Sequence, residues 1–104
     1  MEKYWKLKLK FGILKTEFKH FTVLADGEIL EIKSGIVSKT GKAWMGMKTW
    51  CSSTSEAAKM IKLIAPEYGF NVSGRIEVYD TDPVQPPKEN PYGYEINFTF
   101  YEQN

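Results

Sequence analysis

The chain opens on a strict alternation: Trp5, Leu7, Leu9, Phe11 and Ile13 are interleaved with Tyr4, Lys6, Lys8, Lys10 and Gly12. A period of two sends successive side chains to opposite faces, so this segment is predicted to be a strand with one buried face. A second strand is predicted over residues 18–25. Asp26-Gly27 offers the positive φ angles of a tight hairpin turn, and residues 29–33 read as the returning partner. Ser34-Gly35 marks a further break. Residues 36–38 and 43–50 read as strand pieces around Lys39-Thr40-Gly41-Lys42, a turn by composition. In the second piece Trp44, Gly46 and Trp50 share one face and Ala43, Met45, Met47 and Cys51 the other; both are apolar, so the buried one is not evident.

The period then changes. Ser53 followed by Glu56 fits a capping box, in which two side chains satisfy backbone N–H groups left without partners at a helix start. Ala57, Met60, Ile61, Ile64 and Ala65 recur at helical spacing, Lys59 and Lys62 take the other side, and Pro66 and Gly69 close the element. A strand is expected over 72–79, with Val72, Gly74, Ile76 and Val78 on one face. The last strand should place Tyr94, Ile96, Phe98 and Phe100 together. Between them, Pro83, Pro86, Pro87 and Pro91 make residues 80–91 a loop, since proline lacks the donor a central strand needs.

These elements predict one domain over residues 1–104 of the α+β class. It would hold a mostly antiparallel sheet of five to seven strands, with one helix (about 53–66) packed on one face, in the order β-β-β-β-α-β-β. The 14% aromatic content suits such a half-buried sheet.

Charge adds one feature. The net charge is +1, but residues 1–52 carry ten lysines against five acids (+5) and residues 53–104 four bases against eight acids (−4). The single cysteine, Cys51, rules out an intrachain disulfide. Neither a signal peptide nor a stretch of the ~20 apolar residues that span a bilayer is visible, so a reducing cytoplasm without a membrane is the expected location.

Candidate chemistry is sparse. One histidine, His20, and one cysteine fall short of a zinc site, which needs three or four protein ligands, and no metal or cofactor is expected. A Cys51–His20 nucleophile pair would need the two within hydrogen-bond reach. Thr40-Gly41-Lys42 lacks the glycine spacing and following hydroxyl of a phosphate loop. The hydroxyls of residues 52–55 are accounted for by helix capping. Asp80 and Asp82 begin no calcium-loop pattern.

Two surface features remain. One is the comb of Lys6, Lys8 and Lys10 with Tyr4 on the outer face of the first strand. It would either protect a sheet edge or bind single-stranded nucleic acid through charge and stacking. The other is the 80–91 loop with Asp80, Asp82, Tyr92 and Tyr94, either packed over its own sheet or used as a contact for another protein, its acidity suiting a basic one. The leading expectation is a non-enzymatic protein-binding module, of the kind that inhibitors and toxin-neutralising immunity proteins represent. Nucleic-acid binding through the lysine comb is the alternative, and a small carboxylate-based hydrolase the third reading.

Overall fold

Long, apolar-alternating strands set the architecture. The computed structural model describes residues 4–33 and 35–101, and in it the chain is α+β with a four-stranded antiparallel sheet. The elements are α1 (Trp5–Lys10), β1 (Lys19–Ile29), β2 (Gly41–Cys51), α2 (Thr54–Ile64) running into a 3-10 turn (Ala65–Tyr68), β3 (Phe70–Asp80) and β4 (Tyr92–Phe100). The sheet order is β3-β1-β2-β4, so the strands from the first half of the chain are central and those from the second half form both edges. Residue 34 and the two ends (1–3 and 102–104, with Glu2, Lys3 and Glu102 of the charge count) lie outside the described residues.

The helix face of the sheet is the core. Phe21, Val23, Ala25 and Ile29 of β1 and Ala43, Met45, Met47 and Cys51 of β2 are buried there with Ala57 and Ile61 of α2. This settles the two-faced 43–50 segment: its methionine face meets the helix, and Trp44 and Trp50 face the opposite side. Fully burying each of the core Val, Ile, Phe and Met side chains stabilises by roughly 1.5–3 kcal/mol.

The start of α2 follows its sequence signal with one change. The Ser53 side chain accepts from the Glu56 N–H at 3.1 Å, but Glu56 Oε1 reaches one residue further back, to the N–H and hydroxyl of Ser52. Those bonds hold the Glu56 carboxyl below its ordinary range. Ser53→Ala removes the cap and should cost about 1 kcal/mol, read as a lower urea midpoint at unchanged slope. At the other end Gly69 takes φ 72°, with the carbonyl oxygen of Glu31 1.9 Å from where a Cβ would stand. Only glycine fits both demands.

The strand count is four, not five to seven, and there are two helices among the described residues. Three changes account for the difference. The predicted first strand is instead α1, where only Trp5 is buried while Leu7, Phe11 and Ile13 are 53–72% exposed. Leucine and lysine are good helix formers, and without a neighbouring strand to pair with, the alternation has no sheet to enforce it. Nor is Asp26-Gly27 a hairpin turn. It lies inside β1, where a bulge leaves Asp26 between partners Ala25↔Ile76 and Gly27↔Val72, and the Phe70 ring and Asn71 carbonyl crowd Gly27. The glycine is there for close approach, not for a turn. The predicted strand over 18–25 continues to Ile29 as β1, but residues 30–33 and the predicted strand piece 36–38 lie in no strand: no described strand pairs with them, and Leu30, Ile32 and Ile36 are exposed. The predicted turn residue Gly41 begins β2.

A second bulge re-phases β4. Met47 faces the two residues Glu95 and Ile96, with Glu95 at φ 49°, so Tyr94 turns away from Ile96, Phe98 and Phe100. The predicted four-residue face is thus split, and Tyr94 joins Trp50 on the far side of the sheet.

Candidate functional site

The far side of the sheet is roofed at one end by the 81–91 loop, and the roof is held by His20, Trp50, Tyr92 and Tyr94. His20 and Trp50 are cross-strand partners on β1 and β2, with rings edge-on at 5.1 Å. His20 is 7% exposed and Trp50 3%. Because a carbonyl oxygen can only accept, the 2.9 Å contact from Nδ1 to the Thr81 carbonyl places the proton on Nδ1. His20 Nε2 then accepts from the Tyr94 hydroxyl at 2.6 Å. That hydroxyl in turn accepts from the backbone N–H groups of Val84 (3.1 Å) and Gln85 (3.3 Å).

Two further bonds tie down the loop: Trp50 Nε1–H donates to the Gln85 carbonyl at 2.8 Å and the Tyr92 hydroxyl to that of Pro86. Tyr92 stacks on Tyr94, and Lys88 Nζ lies 4.4 Å over the Tyr92 ring. Burial lowers the His20 pKa, aided by the Lys48 charge and opposed by the Thr81 bond, Asp82 and Glu95. The geometry, with Nδ1–H donating and Nε2 accepting, suits the neutral imidazole.

The N-terminal segment lies along the outside of this loop. A groove of about 280 Å³ is lined by Lys6, Leu9 and Lys10 of α1 and by Asp82 and Pro83. A second, of about 270 Å³, runs between Leu14, Lys15 and Thr16 and Pro87, Lys88 and Glu89. The two candidate surfaces read from the sequence thus form one end of the molecule. Asp80 and Asp82 are exposed, Tyr92 is half-buried, and Tyr94 is 7% exposed with its hydroxyl committed to His20 and the loop.

The lysine comb does not form. At about 100° per residue, Lys6 and Lys10 share a helix face and Lys8 points elsewhere. Tyr4, Leu7 and Phe11 fall on a third direction and are 58%, 53% and 68% exposed.

His20 and Cys51 stand on opposite faces of the sheet, since Lys19, not His20, is the partner of Cys51. The thiol is buried against α2, donates to the Ser53 carbonyl, and is pushed up in pKa by that burial. Among the described residues no three His, Cys, Asp or Glu side chains gather to hold a metal ion, and no helix is long and apolar enough to cross a membrane. Neither groove beside the loop brings two carboxylates together.

His20 and Trp50 escaped notice in the sequence as partners of the loop. Their signal was faint: His20 alternates with Thr22 on the polar phase of β1, and Trp50 lies on a face of β2 that was already apolar. No protein-family model, curated protein or solved structure matches this chain.

Proposed function

We propose that this protein is a non-catalytic protein-binding module, and that it contacts its partner through the end where the proline-rich loop meets α1. The observation that supports this most is the pinned loop. Its backbone is tied to Trp50, Tyr92 and Tyr94, yet Asp82 and Val84 remain exposed. A loop already ordered loses little entropy on binding, which is how rigid inhibitors gain affinity. Beside it Tyr4, Leu7, Phe11 and Ile13 expose apolar surface in one short stretch, a composition more typical of an interface than of a solvated face. Inhibitors and immunity proteins are the class this arrangement suits, and the exposed Asp80 and Asp82 suit a basic patch on the target.

Affinity capture from the native proteome followed by titration tests this. Leu7→Asp with Phe11→Asp, and separately Asp82→Ala with Val84→Asp, should each weaken binding of the captured protein at least about tenfold, a loss of roughly 1.4 kcal/mol. If both variants bind it as tightly as wild type, this end is not the contact. Recovery of nucleic acid instead, with affinity falling steeply as salt rises, would point to the lysines of α1 and against the proposal.

A further inference from the structure

The two sheet edges are built differently. β3 carries Arg75, Glu77 and Asp80 together with the bulge opposite Asp26, devices that discourage a foreign strand from docking. From Ile96 to Phe100, β4 carries no charge, proline or glycine. No strand among the described residues pairs with its outer side.

The register identifies which backbone groups face outward there. Tyr101 N–H donates to the Lys42 carbonyl at 3.2 Å, one step beyond the pair Ala43↔Phe100. Antiparallel ladders alternate hydrogen-bonded and non-hydrogen-bonded pairs. Thr99 and Asn97 therefore bond to β2, and Ile96, Phe98 and Phe100 direct their N–H and C=O groups away from it.

We propose that this edge pairs with β4 of a second copy of the chain, antiparallel about a two-fold axis at Phe98. In that register Phe98 meets Phe98 and Ile96 meets Phe100, each exchanging the backbone groups left unused. Their side chains, half-buried at the margin of the core, lie on the helix face and extend it. On the open face the exposed Asn97 meets Thr99, both polar. Every pair matches like with like and none opposes equal charges, the self-complementarity a two-fold interface demands. Lys39 Nζ, 4.6 Å over the Phe100 ring, places its charge at the end of the segment and not at its centre. The two sheets become one.

Sedimentation velocity on the full chain tests this. Wild type should be dimeric at micromolar concentration. Asn97→Lys with Thr99→Lys sets lysines against lysines and should give monomers that remain folded by circular dichroism. Asn97→Lys with Thr99→Glu sets lysine against glutamate and should restore the dimer. A cross-linking experiment needs no charge change: Asn97→Cys and Thr99→Cys proteins should form a disulfide when mixed and oxidised, and neither should alone, because a non-hydrogen-bonded pair places the two Cα atoms about 4.5 Å apart. A monomeric wild type, dimers that both lysine-bearing variants retain, or the absence of cross-linking in the mixture would overturn the proposal.

Discussion

Gly27→Val should leave the protein unfolded, and Gly27→Ala should cost at least about 3 kcal/mol, the upper end of what overpacking a core usually costs. A Cβ at this position would stand 2.1 Å from the Asn71 carbonyl oxygen and 2.7 Å from the Phe70 ring. The ring could turn; the carbonyl belongs to the strand paired with β1 and cannot. Relieving the clash means separating β1 from β3 where the bulge already spends ladder bonds. Since a domain of this size has only about 5–15 kcal/mol of stability in total, the alanine variant should show a strongly lowered urea midpoint. Gly35→Ala, with nothing within 4 Å of its Cβ, is the control and should change stability by less than about 0.5 kcal/mol. Equal stability of the two variants would mean that β1 and β3 do not approach as described.

The second large effect lies in the loop anchor. Tyr94→Phe removes one oxygen but strands three groups: His20 Nε2 loses its donor, and the N–H groups of Val84 and Gln85 lose their acceptor. Leaving a buried polar group unpaired costs about 1–3 kcal/mol, and His20 is the one of the three that water cannot readily reach. The variant should lose roughly that much stability, and the Val84 and Gln85 amides should exchange with solvent far faster.

Acid should act on the same anchor. A protonated His20 would present an N–H to a hydroxyl whose lone pairs are already used by the loop. With the folded pKa below the ordinary 6.5, the unfolded chain takes up the proton first. The His20 contribution is therefore complete above about pH 6.5 and declines as pH falls through that value toward the folded pKa. Exchange at Val84 and Gln85 should rise over the same interval in wild type, and His20→Gln should flatten that part of the stability profile. A profile unchanged by His20→Gln would place the loop's stability elsewhere.

Much of the second half of the fold was legible because its signals are local. Ser53, Glu56, Pro66 and Gly69 bound a helix whatever lies around it, and four prolines between residues 83 and 91 forbid a central strand. The first half was harder, because the same patterns serve two ends. Alternation from Trp5 to Ile13 is a strand only if another strand accepts it, and none does. Asp26-Gly27 is a turn in most chains, but here a ring from β3 needs the space. The bulge at Glu95 shifted Tyr94 to the other face, which no period count could reveal, and with it went the link between His20 and the loop. The surface features fared in a similar way. Asp82 is exposed beside Lys6 and Lys10 of α1, but bringing those regions together depended on tertiary structure alone.

The strand order also has a consequence during synthesis. β1 and β2 are made first and pair with each other, and each then waits for an outer neighbour from the far end of the chain. At about 5–20 residues per second, roughly fifty residues after Cys51 take some 2.5–10 s to appear, and for that time β2 offers unpaired backbone groups beside apolar side chains to anything nearby. A polysome making this protein carries several such hairpins at once. Slow translation beyond residue 51 should therefore favour insoluble product, and a ribosome that stalls before Tyr92 should release a chain that aggregates when the full-length protein does not.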